Sequence, residues 1–178
     1  GVREPACSGF SSPVRPTVGM HYSLYRWAML TFCAAMPRAR HHTEGPPPMK
    51  KTRLLNHALS DVIARIGHTQ CLVIADAGLP IPFHVQRIDL SIVPGLPTVR
   101  QLAEAIAEEM EVEAIVVADE LLAWDTTLAN DMAALFDAPY SAVPHTEFKR
   151  RSENAIAVVR SGDTTPYYNV MLISGVNY

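Results

Sequence analysis

A short apolar segment, Cys71 to Ala75, ends abruptly at Asp76 and constrains the fold more than any other part of the chain. A continuous apolar run of this length is typical of a strand that is buried on both faces of a largely parallel sheet. The loop that follows, Ala77 to Pro82, contains one glycine and two prolines, which restrict its path. In open α/β sheets, ligands bind in the crevice beyond the carboxyl ends of the strands. Asp76 is therefore a candidate binding residue, although an aspartate that caps an ordinary turn would also explain its position.

Helix and strand patterns alternate along the rest of this region. From Leu55 to Ile66 apolar residues recur on one helical face, with Asn56 as a candidate N-cap and Gly67 just beyond the last turn. In chain order, the further predicted elements are a strand over 86–93, a helix over 98–110, a strand over 114–118, a helix over 125–136, a strand over 140–143, a helix over 145–153 and strands over 156–159 and 170–174. This alternation predicts an α/β fold, a three-layer α/β/α arrangement with a mixed, largely parallel sheet in a single domain.

The first 48 residues differ from the rest of the chain. They mix Ser, Pro and Arg with scattered aromatic residues and show no helical or strand period, so we expect a disordered leader or an upstream extension. A stretch after Met20 loosely imitates a secretory signal, but its apolar part is too short to span a bilayer. We expect the folded domain to occupy residues 49–178, which is long enough to bury a core.

Composition excludes several classes of function. The 178 residues carry a formal net charge of -3 and no lysine-arginine stripe, which gives no indication of nucleic-acid binding. The three cysteines cannot all pair, and neither a CxxC nor an HExxH motif occurs, so we expect no metal. Glycine-rich nucleotide motifs and the GxSxG nucleophile motif are also missing, so we expect no cofactor. The sequence predicts a cytoplasmic protein without a nucleic-acid or membrane partner.

Polar residues at predicted strand ends and turns are the candidates for chemistry. His145 and Lys149 are four apart and share one helix face, although a lysine beside a histidine is usually only a solvated surface. Tyr167 and Asn169 would point to the same side if their segment were extended, although an ordinary loop explains them equally well. The complete set is His68, Asp76, His145, Lys149, Tyr167 and Asn169, with Asp119 and Glu120 as weaker candidates.

Four separated motifs resemble those of one family. They are His68, the DAGLPIP run from Asp76, the HTEFK run from His145, and the triplet Tyr167-Tyr168-Asn169. In this order and spacing they are similar to the ribose pyranase and fucose mutarotase family, over about residues 49–178. The resemblance implies an isomerase that opens the ring of D-ribose and recloses it, exchanging the pyranose and furanose forms. The DAGLPIP loop favours the ribose branch over the fucose branch.

The same resemblance implies a role for each candidate residue. His68 is expected to be the proton donor, and the expected sugar contacts are Asp76, His145, Lys149, Tyr167, Asn169 and, through its main chain, Tyr168. The family pattern has a small residue at the position of Tyr168, so the bulky tyrosine is expected to change the local shape of the pocket. Ring opening moves protons to and from sugar oxygens, which a histidine can do without a metal or a nucleotide.

The family also implies homo-oligomers, decamers of two pentamers, in which neighbouring subunits share sites. Two alternatives stay open at this point. One is a mutarotase for fucose or another monosaccharide, with the same acid-base groups. The other is a sugar-binding partner of a ribose transporter that has lost catalysis.

Overall fold

The computed structural model describes residues 50–176, so the predictions about the first 48 residues lie outside it. Six strands form one sheet in the order β2-β5-β1-β6-β3-β4. They are β1 (Cys71–Ala75), β2 (Gln86–Asp89), β3 (Val112–Ala118), β4 (Tyr140–Val143), β5 (Ala157–Arg160) and β6 (Val170–Ser174). Strand β6 runs antiparallel to both of its neighbours, and the other adjacent pairs are parallel. The prediction of a mixed, largely parallel sheet is confirmed.

Helices cover the two faces of the sheet unequally. Within residues 50–176 they are α1 (His57–Arg65), α2 (Val99–Ala107), α3 (Asp119–Trp124), α4 (Thr126–Phe136) and α5 (His145–Ser152). The first four pack apolar side chains into one large core cluster, whereas Phe148 of α5 belongs to a smaller cluster on the other face. The layers are therefore α/β/α. None of these helices is long and apolar enough to cross a membrane.

Helices α1 and α2 each begin with a side-chain cap, and the sequence had indicated the first of these two caps. The Asn56 side chain accepts a hydrogen bond from the Leu59 backbone N–H at 2.9 Å. Thr98 and Gln101 form a reciprocal capping box, in which each side chain accepts a hydrogen bond from the other residue's backbone N–H. Such caps satisfy N–H groups that the first helical turn leaves without partners.

Several predicted elements differ from the structure in their bounds, and one helix was not predicted. Strand β2 ends at Asp89 rather than Val93, because the Asp89 carboxylate accepts a hydrogen bond from the Ser91 N–H and turns the chain. Helix α1 starts at His57, which leaves Leu55 outside it with 68% of its surface exposed. Helix α3 was not predicted. Its first turn holds Asp119 and Glu120, where negative charge is favoured by the helix dipole.

The antiparallel direction of β6 decides which residues can meet. We call the edge where the parallel strands end the C-terminal edge, and the opposite edge the N-terminal edge. Because β6 is reversed, the residue that precedes it, Asn169, lies at the C-terminal edge together with Asp76. His145 follows β4 and reaches the same edge. His68 precedes β1 and lies at the N-terminal edge.

Candidate functional site

Asp76 and Asn169 form a reciprocal pair at the C-terminal edge. Asn169 donates from Nδ2 to Asp76 Oδ2 at 3.0 Å, and its Oδ1 accepts from the Asp76 backbone N–H at 2.9 Å. Asp76 Oδ1 also accepts from the backbone N–H groups of Gly78 and Leu79, both at 2.8 Å. Asp76 thus does cap a turn, as the simpler explanation proposed, and in addition its second oxygen binds a fully buried amide. The carboxylate is held in one orientation by two distant segments of the chain.

His145 is the first residue of α5, and its surroundings lower the pKa of its ring. Its backbone N–H donates to Glu120 Oε2 at 2.8 Å, which fixes the start of the helix. Burial lowers the pKa of His145, and the positive charge of Lys149 lowers it further, while Glu120 and Asp76 act in the opposite direction. Nδ1 is buried and has no hydrogen-bond partner within residues 50–176. A neutral imidazole can donate or accept a hydrogen bond from a ligand hydroxyl.

Tyr167 closes the other side of a small hollow. Its ring meets the His145 ring edge-on, with 5.1 Å between centroids and 78° between planes. Its φ of 61° is left-handed, a conformation that is uncommon for a bulky residue and is found preferentially at functional sites. The hollow has a volume of about 250 Å³ and is lined by Asp76, Gly78, Leu79, Pro80, His145, Pro166 and Tyr167.

The segment from Tyr167 to Asn169 is a tight turn and not an extended segment, so the condition under which the two side chains would share a side is not met. The Asn169 N–H donates to the Tyr167 carbonyl at 2.7 Å, across a single intervening residue. That residue, Tyr168, places its side chain in the large core cluster on the helix-rich face, where burial raises its pKa to about 12. Tyr168 does not line the hollow, so its bulk does not narrow the site. Only its main chain lies beside the site residues.

Lys149 lies one helical turn after His145 on α5 and is half-buried. It does not line the hollow of about 250 Å³, but its charge is close enough to lower the pKa of His145. Its long side chain carries three N–H donors on a flexible stem, so it can extend toward a bound ligand.

His68 lies apart from this group. Its exposed imidazole contacts Glu113, with 2.8 Å between Nε2 and Oε2, at the N-terminal edge. Strand β1 has five residues between His68 and Asp76, which at about 3.3 Å per residue separates the two edges by roughly 16 Å. Within one chain the structure therefore brings together Asp76, His145, Tyr167 and Asn169, and it does not bring His68 to them.

Known proteins are similar to this chain in sequence and in fold. Residues 49–177 match the model of the RbsD / FucU transport protein family. The chain belongs to this family. A D-ribose pyranase of Rhodopirellula baltica is 49% identical over 133 residues, which cover 72% of this chain and 98% of that protein. A D-ribose pyranase of Laribacter hongkongensis is 46% identical over 129 residues, with the same coverage. The resemblance predicted from four motifs is confirmed.

Two solved structures share the fold of this chain. RbsD of Bacillus subtilis, solved in complex with D-ribose, is 44% identical, with a TM-score of 0.69 over 73% of this chain and 100% of that one. A fucose mutarotase of Streptococcus pneumoniae, solved with L-fucose, is 19% identical, with a TM-score of 0.55 over 70% of this chain and 95% of that one. The similarity to the second structure shows a shared fold and nothing more.

Three acidic residues contact candidate site residues or the segments beside them, although sequence patterns assigned them little or no weight. Asp163 is buried, and its carboxylate accepts from the N–H groups of Val99 and Thr165, both at 3.0 Å. Its carbonyl accepts from the Ala77 N–H at 2.8 Å, so it ties the loop after β1 to the segment before β6. Asp163 follows closely after β5, and the rule that strand ends carry function could have found it. In the sequence Glu120 was only a weaker candidate, and no sequence pattern pointed to Glu113.

No group of three or more His, Cys, Asp and Glu side chains within residues 50–176 is placed to hold a metal ion.

Proposed function

We propose that this protein is an isomerase that interconverts the pyranose and furanose forms of D-ribose. The observation that carries the proposal is the hollow at the C-terminal edge, where a fixed carboxylate, a histidine with a lowered pKa and a tyrosine face one small space. Its volume of about 250 Å³ is below the roughly 300–1,000 Å³ of pockets for drug-sized ligands, which suits a monosaccharide. Relatives at 49% and 46% identity are D-ribose pyranases, and B. subtilis RbsD binds D-ribose.

The residues of the hollow are suited to hold the sugar. A carboxylate accepts hydrogen bonds from sugar hydroxyls, and Asp76 is held in place by Asn169 and by two backbone N–H groups. His145 and Tyr167 can each donate or accept, and the Lys149 ammonium can donate. We assign sugar contacts to Asp76, His145, Lys149, Tyr167 and Asn169, and to the main chain of Tyr168.

We assign the role of proton donor to His68. Opening the ring requires a proton for the ring oxygen, and a well-placed general acid contributes roughly 10²–10⁴-fold to such a step. His68 lies at the N-terminal edge, so the His68 of one copy must act at the hollow of another copy. We therefore propose a homo-oligomer with shared sites, the decamer of two pentamers that the family resemblance implies. Exposed apolar side chains support this assembly, among them Phe83, Ile92 and Val93.

The proposed compartment is the cytoplasm. Cys71 is a free cysteine within residues 50–176, and unpaired thiols are typical of a reducing compartment.

Saturation-transfer NMR tests the activity directly. We expect that the purified protein transfers saturation between the pyranose and furanose signals of D-ribose at a rate proportional to its concentration. The variant His68→Ala should lose at least 100-fold of this rate, because the general acid is missing. It should still bind D-ribose, because the hollow is intact.

Two other results would change the assignment. Faster anomer exchange with L-fucose than with D-ribose would identify a fucose mutarotase. Binding of D-ribose without accelerated exchange, in the unmodified protein, would identify a sugar-binding protein and overturn the proposed catalysis.

A further inference from the structure

The Glu113 carboxylate determines which nitrogen of the neutral His68 imidazole carries the proton. His68 Nε2 lies 2.8 Å from Glu113 Oε2. Because an ionised carboxylate only accepts hydrogen bonds, Nε2 must carry the proton whenever the ring is neutral. Nδ1 is then the nitrogen that is left to exchange a proton with another molecule.

Glu113 reaches His68 because of an irregularity in the sheet. Strand β3 pairs with β6 through Val112–Ser174 and Ala114–Ile173, so two steps along β3 match one step along β6 and Glu113 is the extra residue. Such β-bulges redirect a side chain and are frequent beside active sites. The bulge is closely packed, since a Cβ on Gly175 would lie 3.3 Å from the Glu113 backbone nitrogen.

The backbone next to His68 is also held in an unusual conformation. Thr69 has a φ of 65°, which is left-handed and rare for a β-branched residue. Its N–H donates to the Ser174 carbonyl at 3.0 Å, which anchors it to the end of β6. Strain of this kind persists where the surrounding structure enforces it, and it is concentrated at functional sites. Both members of the His68–Glu113 pair are thus positioned by the same end of β6.

We propose that Glu113 is a positioning residue for the reaction, one that holds the His68 imidazole with its proton on Nε2 and presents Nδ1 to the sugar. This inference rests on the proposed function of His68. Both side chains are about half exposed, at 48% and 39%, and exposed ion pairs contribute little to stability. The contact between the two side chains therefore adds little to folding, whereas it does orient the imidazole.

The proton transfers of the proposed reaction define the role of Nδ1. As the C1–O5 bond of the pyranose breaks, O5 takes a proton from Nδ1 of the doubly protonated ring, and the anomeric hydroxyl gives its proton to water. The neutral imidazole that results keeps its proton on Nε2, bound to Glu113. When O4 attacks C1 to close the furanose, its proton goes to Nδ1 and the carbonyl oxygen takes one from water. No proton is gained or lost overall.

The variant Glu113→Gln tests the proposal, with Glu111→Gln as the matched control. A glutamine amide can either donate or accept, so it no longer dictates which nitrogen carries the proton. We expect kcat for ribose exchange to fall by roughly tenfold or more, with KM within about twofold of the original value. Side-chain ¹⁵N spectra of neutral His68 should change from the Nε2–H form alone to a mixture of both tautomers. The thermal unfolding midpoint should not change, and Glu111→Gln should leave all of these quantities unchanged.

His68→Ala separates a failure of this inference from a failure of the proposed function. If His68→Ala is inactive while Glu113→Gln retains the original kcat and the original tautomer, Glu113 has no positioning role and the function stands. If His68→Ala exchanges ribose as fast as the unmodified protein, the catalytic assignment of His68 fails, and this inference fails with it.

Discussion

The two histidines of the proposed reaction lie in opposite electrostatic surroundings. His145 is partly buried beside Lys149, and both factors disfavour its charged form. His68 is exposed, and its Nε2 lies 2.8 Å from a carboxylate oxygen of Glu113. A residue that binds the sugar should line the hollow, and a proton donor that serves another copy should be accessible at the surface. The placement of the two residues agrees with the roles proposed for them.

The pH dependence of His145 follows from the direction of its shift. Its pKa in the folded protein lies below the ordinary value of 6.5, so the unfolded chain binds its proton first on acidification. Stability is therefore lost as the pH falls from about 6.5 through the lower folded value. NMR titration should give a midpoint for His145 below 6.5.

Two charge variants test the causes of this shift. Lys149→Gln should raise the midpoint of His145 and Glu120→Gln should lower it, because the first removes a positive charge and the second a negative one. The exposed Lys51 provides the control, and Lys51→Gln should have no effect. A midpoint that is indifferent to Lys149→Gln would mean that the lysine charge does not reach the ring.

At the scale of elements, α5 carries two site residues and covers the thinner face of the sheet. Its anchor is Phe148, which is fully buried, whereas the other face is covered by four helices. The side chain of Phe148 holds α5 on the sheet and thereby also holds His145 and Lys149 in place. A change at Phe148 should therefore affect both the stability of the fold and the position of these two site residues.

The variant Phe148→Ala should lower the free energy of unfolding by about 3–5 kcal/mol and weaken ribose binding. Phe148→Leu should lower the free energy of unfolding by less, about 1.5 kcal/mol, and should keep binding. Phe136→Ala, in α4 on the opposite face, is the control that destabilises the fold without moving the site. Denaturation at a fixed protein concentration and ribose titration provide the two measurements. Equal loss of binding in both alanine variants would contradict a specific role for α5.

Elements that are determined by residues close by in the chain could be predicted from the sequence. Features that depend on residues far away in the chain could not. Strands β1, β4 and β6 have the predicted bounds, because short apolar runs between turns mark them directly. The Asn56 cap, which was also predicted, is similarly local. By contrast, the bulge at Glu113 depends on pairing with β6, and the left-handed Tyr167 depends on a loop held by Asp163. The motifs identified the residues of the hollow, but only the direction of β6 shows that His68 lies at the other edge.

At the scale of the whole molecule, the separation of His68 from the hollow predicts complementation between copies. His68→Ala and Asp76→Asn should each be inactive as pure proteins. When the two variants are co-expressed in equal amounts, about a quarter of the shared sites should receive both intact residues, and exchange activity should return to about that fraction.

A second mixture is the control for this experiment. Asp76→Asn and His145→Ala both alter the same hollow, so no mixture of these chains contains a complete site, and activity should stay absent. Failure of the first mixture to recover activity, in oligomers shown to contain both variants, would place the whole site within a single copy.

The position of β6 in the sheet has a consequence for biosynthesis. Strands β1, β2 and β3 are made first, yet no two of them are neighbours, because β5 lies between β1 and β2, and β6 lies between β1 and β3. The emerging polypeptide therefore cannot close its sheet until residues 157–174 have left the ribosome, and such long-range pairing slows folding. Asn169 arrives with the same segment, so the carboxylate of Asp76 gains its partner only as the fold is completed. A nascent chain stopped before β5 would leave β1 and β2 without a neighbouring strand, whereas β3 could already pair with β4.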